Sequence, residues 1–388
     1  MKKKFSHSRY DAVVVGARCA GAATALLLVR GGARILIVDR EPAMADTLST
    51  HALMRPAVSQ LSRWGVLDAI VAAGTPRISR ARFWYGPECV DVPVKPDDEI
   101  AGLYAPRRWL LDRVLRDAAV EAGAELHTGV SLEGLTNDGT GRVTGARLLS
   151  MDGSVRHVSA DIVIGADGRR SKTAELAGAR TPISSSDRCA VAYSYWDGID
   201  NEGYRFYFGD RVWAGLIPTN DGAHCVFAAC SPDAFRVRFD KGLAPGIADV
   251  LAIWAPDLGQ HLSDHAPAEP VRRFLGAPGH IRDCAGPGWA LVGDAGYFKD
   301  PATAHGITDA FLDAERLARA FLGNPGDVRA YQYERDRFAP DFFAATQQLA
   351  SLDWDYETLK AIHARLNVCM KAEHSALEGG AAGNSIAA

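Results

Sequence analysis

The segment YDAVVVGARCAGAATALLLVRGGARILIVDR, Tyr10 to Arg40, constrains the fold more than any other part of the chain. Ala12 to Val15 is a short β-branched apolar run, the pattern of a parallel strand buried on both faces. Gly16 ends it, the Ala- and Leu-rich stretch Cys19 to Arg30 suits a helix, and Gly31-Gly32 supplies a stop. Arg34 to Val38 reads as a second strand, with Asp39 at its end. A βαβ unit of about 30 residues that closes on an acid is the frame that holds a dinucleotide by its pyrophosphate and ribose. The loop reads G-A-R-C-A-G where the fingerprint has G-x-G-x-x-G, so Arg18 replaces the middle glycine. Gly16 can make the turn and Gly21 can let the helix pack close to the strand. Arg18 requires a negative φ, and its guanidinium could lie near phosphate, ribose or a reactive ring. The helix N-terminus still offers free N–H groups and a positive dipole end. A glycine-rich turn in an unrelated α/β sheet is the competing reading.

Three later stretches bear on that choice. Tyr104 to Val130 carries Leu111, Val114, Leu115 and Ala118 at helical spacing, with Arg108 on the preceding turn. The stretch ADIVIGADGRRSKTAELAG places Asp167-Gly168 after the buried run Ile162 to Ile164. The stretch GWALVGDAGYFKDPATAHGITDAFLDAERLARAFLG places Asp294 after Ala290 to Val292, then Pro301 and Gly306 before a long amphipathic helix.

Glycine loop, Asp-Gly motif and Gly-Asp motif, in that order and each after a strand, resemble the FAD-dependent monooxygenases and oxidoreductases of the p-hydroxybenzoate hydroxylase fold. That superfamily also holds geranylgeranyl reductases and flavin-dependent halogenases. The resemblance covers about Tyr10 to Leu322 and implies an α/β fold: a Rossmann-type FAD-binding domain, an inserted antiparallel β-sheet substrate domain and a helical C-terminal segment. It implies that Gly16, Ala17, Arg18 and Gly21 surround the FAD pyrophosphate, that Asp39 takes the adenosine ribose, and that Arg40 and Val130 lie near the adenine. Arg108 would reach the cofactor from its helix start and Asp167 from its loop. Asp294 would bind a ribityl hydroxyl, and Pro301 to Ile307, with Gly306, would run along the isoalloxazine edge. Negative charge on the reduced ring would be stabilised by the N–H groups and dipole of a helix opening at Gly306-Ile307. Each acid and arginine has a plainer reading: Asp39 as a strand-end surface acid, Asp167 or Asp294 as a turn former or helix cap, Arg108 as a solvated helix residue.

The expected division is 1–75, 106–180 and 281–325 for the FAD-binding body, 76–105 and 181–280 for the substrate sheet, and 326–388 for a helical end with a mobile tail. Between Cys189 and Ser231 the chain reads as successive strands, VAYSYWDG, GYRFYFGD, VWAGLIPTNDG and HCVFAAC. Tyr193, Tyr195, Tyr204, Phe206 and Trp213 are candidates to line a substrate pocket, against the alternative that they pack as core. Alternation puts Tyr204, Phe206 and Phe208 on one face and Arg205 and Tyr207 on the other. Tyr331, Phe338, Phe342, Leu349 and Trp354 are expected packing positions near the C-terminus. His51 and His305 are candidate acids or bases, by their titration range, against purely structural roles.

The resemblance implies FAD-dependent oxygenation, with reduced flavin and O2, of a small aromatic or polyketide-like substrate, as in secondary metabolism. Electrons would come from NAD(P)H docking transiently, since a second glycine fingerprint is missing, or from a separate flavin reductase. The alternative is a geranylgeranyl reductase-like enzyme acting on carbon–carbon bonds. A halogenase fits less well: Phe298 to Gly306 echoes the halogenase flavin segment, but Ala304 replaces its serine, and the W-x-W-x-I-P signature has only a partial echo in Trp213 to Pro218. Gly296-Tyr297 and Thr308-Asp309 also depart from the hydroxylase pattern beside the ring. Forty-three Lys plus Arg against 47 Asp plus Glu give a net charge of -4, which argues against nucleic acid and anionic lipid as partners. Seven cysteines without a C-x-x-C argue against zinc and disulfides, and with no spanning stretch they point to a cytoplasmic, metal-free protein.

Overall fold

The computed structural model of the chain describes residues 5–43, 46–47, 49–97 and 99–381. Its central sheet has eight strands, in the order Ala285–Gly286, Trp289–Leu291, Val155–Gly165, Arg9–Val15, Ile35–Asp39 and Glu125–Thr128, with Val130–Asn137 and Val143–Ser150 as an antiparallel meander on Val155–Gly165. Arg9–Val15 lies between Ile35–Asp39 and Val155–Gly165, parallel to both, and Trp289–Leu291 is parallel to Val155–Gly165. The strand ends after Val15, Val38, Gly165 and Leu291 therefore emerge on one edge, where an open parallel sheet receives its ligand. Ala12, Val13, Val14, Leu36, Ile37, Val163 and Ile164 are fully buried, as continuous apolar runs covered on both faces require. The helix Cys19–Arg30 lies on this sheet, and Arg108–Glu121 and Gly306–Gly323 pack against that helix.

A second sheet, here called the roof, has the order Arg272–Phe274, Ala190–Trp196, His224–Cys230, Val212–Pro218, Tyr204–Gly209, Arg80–Tyr85 and Glu88–Pro93. The four aromatic strands pair antiparallel as their sequence pattern predicts. Arg80–Tyr85 joins them as a parallel neighbour of Tyr204–Gly209. Tyr204, Phe206 and Phe208 share the face turned to the main core, while Tyr207 lies on the opposite face and stacks on Trp84. That far face is covered by the helices Pro232–Arg238, Leu243–Ala252 and Pro256–Asp264, which burial of Trp196, Tyr207, Leu216 and Val226 holds in place. A three-stranded sheet of Tyr297–Phe298, Gly279–Ile281 and Ile183–Ser185 completes the strands.

The C-terminal part is helical, and Tyr331, Phe342 and Leu349 are buried as expected, with Phe338 and Trp354 partly so. Its last helix, Tyr356–Ala381, runs further than the sequence suggests, into the segment read as a mobile tail. Residues 382–388 of that segment lie outside the described residues. This helix touches the roof near one end, through Lys360 to Glu88 (2.7 Å) and His363 to the Tyr85 hydroxyl (2.7 Å). Further along, it buries Glu373 beside Asp309. All seven cysteines are free thiols, and no helix among the described residues is long and apolar enough to cross a membrane.

Candidate functional site

Gly16 has φ +109, and a Cβ there would lie 2.4 Å from the Ala166 carbonyl oxygen; a Cβ on Gly21 would lie 1.9 Å from the Gly16 carbonyl oxygen. Both positions therefore require glycine, one for conformation and contact, the other for contact alone. The Asp39 carboxylate accepts hydrogen bonds from Ala17 N–H (2.7 Å) and Glu41 N–H (2.8 Å), one on each oxygen. Each oxygen keeps a lone pair for a ribose hydroxyl. Arg18 sits at the N-cap with φ -86, so the departure from the glycine fingerprint carries no backbone strain. Its guanidinium turns to Asp112, with Nη1 3.8 Å from the carboxylate. The first helical bond runs from Ala22 N–H to the Arg18 carbonyl, which leaves the N–H groups of Ala20 and Gly21 available to an anion.

Arg108 is buried, and its Nη2 lies 3.0 and 3.1 Å from the two Asp112 oxygens and 3.5 Å from Cys19 Sγ. It is therefore no solvated helix residue. Asp112, fully buried, also accepts from Cys19 N–H (3.0 Å), so the pair braces the start of the loop helix. The sequence reading did not single out Asp112; its signal was the Arg108-x-x-x-Asp112 spacing, which puts both on one helix face.

Asp167 takes the plainer of its two readings. Its carboxylate accepts from Ser171 Oγ (2.5 Å), Thr173 N–H (2.9 Å) and Thr173 Oγ1 (3.0 Å), which organises the short helix Lys172–Leu176. Asp294 differs. It lies in the turn Gly293–Ala295, partly buried, and its carboxylate accepts no hydrogen bond from the described residues. Burial and the charge of Asp309 push its pKa up to about 6, against the pull of Arg108, Lys299 and Arg169. A half-buried acid held beside cations but without a donor is chemically matched to a polyol hydroxyl. Val130 is buried at a strand start, and the Arg40 side chain is exposed next to Glu41.

Pro301 and Gly306 are exposed and Ile307 is buried at the start of Gly306–Gly323. The first backbone bond of this helix joins Asp309 N–H to the His305 carbonyl, so the N–H groups before it face outward. A Cβ on Gly306 would lie 3.9 Å from Asp294 Oδ1, which brings the orphaned acid and the helix opening to one place. His305 is buried behind them, 3.4 Å from Asp309 Oδ1, and burial holds its pKa down to about 4. Lys299 bonds the other Asp309 oxygen and lies between the rings of Tyr297 (4.3 Å) and Phe342 (4.5 Å). His305, Asp309 and Glu373 are close enough together to ligate a cation, but the Lys299 ammonium already supplies positive charge there.

Under the roof, His51 takes a left-handed backbone (φ +66), is fully buried, and shares a hydrogen bond between its Nε2 and the Tyr195 hydroxyl. Burial holds its pKa down to about 3, so the ring is neutral. The Arg107 guanidinium stacks 3.7 Å over the Tyr195 ring and pairs with Asp46 (2.7 Å) and Glu269. Neither Arg107 nor Asp46 stood out in the sequence, since their partners come from distant segments. The five aromatic candidates divide. Tyr193 and Tyr195 face the segment of Thr47 and His51, with the Tyr193 hydroxyl 3.5 Å from the Thr47 carbonyl. The Tyr204 hydroxyl is spent on the Tyr104 carbonyl (2.8 Å). Phe206 stacks on Phe83, and Trp213 packs on Phe227 and on Phe208, which in turn meets His363 and Trp354 of the C-terminal part. Those two are core.

Residues 9–201 match the FAD binding domain family. Among curated proteins, the chain is similar to digeranylgeranylglycerophospholipid reductase 2 of Methanopyrus kandleri, with 28% identity over 87% of this chain and 81% of the relative. It is also similar to menaquinone reductase of Mycolicibacterium smegmatis, with 27% identity over 82% of this chain and 78% of the relative. Among solved structures, PqsL of Pseudomonas aeruginosa in complex with 2-aminobenzoylacetate shares the fold, with a TM-score of 0.78, 18% identity and coverage of 94% of this chain and 100% of that one. The flavin-dependent brominase Bmp2 does so with a TM-score of 0.73, 16% identity and coverage of 97% and 100%.

Proposed function

Given that the chain belongs to the superfamily of FAD-dependent oxidoreductases with the p-hydroxybenzoate hydroxylase fold, we propose that it is a reductase of carbon–carbon double bonds in a largely apolar substrate. The residues on the sheet edge fit FAD. The N–H groups of the loop helix after Gly16 would hold the pyrophosphate, Asp39 the ribose, Asp294 a ribityl hydroxyl, and the helix opening at Gly306 the electron-rich edge of the ring. When bound, the flavin supplies the two-electron chemistry. The chain's own groups bind and orient the substrate and keep water out. NAD(P)H docking transiently, or a separate flavin reductase, is the proposed source of electrons.

One observation carries the choice of reduction: the sequence likeness to reductases spans more than three quarters of this chain, more than a nucleotide-binding unit alone would account for. The roof agrees with it. Tyr193 and Tyr195, the two candidates that face the segment of His51 rather than packing as core, put aromatic surface beside the His51–Tyr195 hydrogen bond. Oxygenation of an aromatic substrate is the second reading, favoured by the aromatic strands of the roof and by the fold shared with PqsL, described as a probable FAD-dependent monooxygenase.

The deciding experiment incubates FAD-loaded protein without oxygen, with dithionite-reduced flavin and either a geranylgeranyl-bearing phospholipid or menaquinone. After removal of the protein and re-oxidation in air, which returns any directly reduced ring to the quinone, mass spectrometry should find product heavier by two hydrogens that a protein-free control lacks. Product that gains one oxygen atom, formed only in air, would replace reduction with oxygenation.

A further inference from the structure

The last helix, Tyr356–Ala381, carries Glu373 into the interior, where its Oε2 has no hydrogen-bond partner. Oxygens of Glu373 and Asp309 and a ring nitrogen of His305 lie within 4.8 Å of one another. Asp309 is in the first turn of Gly306–Gly323, whose opening is the proposed seat of the electron-rich edge of the flavin, and Asp294 stands at the same opening. The C-terminal helix thus brings a titratable group behind that edge, one that neither the nucleotide loop nor the roof requires.

The charges around Glu373 are engaged with one another. Lys299 bonds Asp309, and Arg316 faces Glu334 (3.8 Å), so both nearby cations are committed elsewhere. Asp313 faces Glu373 from the helix of Asp309, and Tyr297 from the strand before Lys299. Cys369 and His374 are the titratable residues beside it on its own helix. Asp341, on the helix Ala339–Ala350 that packs against Tyr356–Ala381, is exposed and turns to Arg365. An ionised Glu373 therefore adds a negative charge to a dry interior. Burial and Asp309 hold its pKa at about 7, whereas His305, at about 4, stays neutral. Glu373 is the member of the cluster that changes charge near neutrality.

We infer that Glu373 takes up a second proton when the flavin is reduced, so that the last helix sets how readily the ring accepts electrons. A two-electron donor, NAD(P)H or dithionite, gives the ring two electrons, and one proton comes from the donor or from water; one net negative charge is left at the ring edge. Glu373, a carboxylate before the step, becomes a carboxyl, and ring and cluster together gain no charge. The inference rests on the placement of FAD at Gly306 and holds for reduction and oxygenation alike. An equilibrium potential is indifferent to the route by which the proton arrives.

The test is an anaerobic spectroelectrochemical titration of FAD-loaded, full-length protein from about pH 6 to 9, wild type against Glu373→Gln. Below about pH 7 Glu373 is a carboxyl in both oxidation states, so the two potentials should fall together as pH rises. Above it the wild type takes up two protons where the variant takes one, and its potential should fall twice as steeply. The gap should open until the wild-type ratio of reduced to oxidised flavin is about tenfold below that of the variant, or about 30 mV for a two-electron couple. A merely structural role would offset the two lines by a constant or not at all, and either result overturns the inference. Glu373→Met is a second neutral variant should the first fail to fold. The wild-type curve is itself decisive, since a one-proton slope throughout overturns the inference without any variant. Asp294→Asn separates this failure from a misplaced flavin. A potential that moves with Asp294→Asn but not with Glu373→Gln removes the role of Glu373 alone, whereas a potential indifferent to both removes the ring from Gly306 as well.

Discussion

Glu373 is a carboxylate in the wrong surroundings, and replacing it tests the electrostatics of the helix opening at Gly306. It is buried on Tyr356–Ala381, and burial together with Asp309 raises its pKa from 4.5 to about 7, with Arg316 and Lys299 pulling the other way and Asp313 adding to the rise. Between those two pH values the folded protein keeps a proton that the unfolded chain has released. Wild-type stability therefore falls as pH rises from about 4.5 to 7 and levels off above, by roughly 3 kcal/mol at about 1.4 kcal/mol per pH unit. Glu373→Gln is neutral at every pH and removes that slope. The variant should match the wild type near pH 4.5 and exceed it at pH 8 by up to about 3 kcal/mol. Urea unfolding followed by circular dichroism at intervals from pH 5 to 8 reads both curves. Parallel curves, or a variant less stable than wild type at pH 8, would refute the placement of Glu373 against Asp309.

Gly21→Ala forces a methyl against the Gly16 carbonyl oxygen and should cost about 1–3 kcal/mol while lowering FAD affinity at least tenfold, read by thermal melting and flavin fluorescence. Asp112→Leu strands a buried arginine and should cost about 3–5 kcal/mol in urea unfolding; Arg108→Leu in the same chain should recover much of it. Asp167→Ala should cost about 1 kcal/mol as a lost cap and leave FAD affinity within about twofold, whereas a tenfold loss in a flavin titration would return Asp167 to the cofactor. Asp294→Asn should weaken FAD by about tenfold in the same titration without lowering stability above pH 6, since the native acid is held there at a cost.

What could be read from the sequence was set by local physics. The β-branched runs at Ala12 to Val15 and Arg34 to Val38, the alternating aromatic strands and the Gly16 turn are each dictated by neighbours within a few residues, and the structure has them in place. The choice between readings of a charged residue was not local. Asp167 and Asp294 each follow a strand, yet Ser171 and Thr173 occupy the first and the described residues leave the second without a donor. Arg108 needed its helix face to be known, and Lys299 needed an acid ten residues on plus two rings from different segments. The helices behind the roof, between Pro232 and Asp264, went unread because they cover a sheet face whose burial only the assembled fold reveals.

Arg107 and Arg108 open the helix Arg108–Glu121, where the backbone already presents positive charge, so two cations there are electrostatically misplaced. They stay because each is spoken for: one by Asp46, Glu269 and the Tyr195 ring, the other by Asp112 at the foot of the loop helix. A single peptide link thus yokes the nucleotide cradle to the aromatic canopy. The first turn of one helix is thereby pinned from two sides, to the loop helix below and to the roof above.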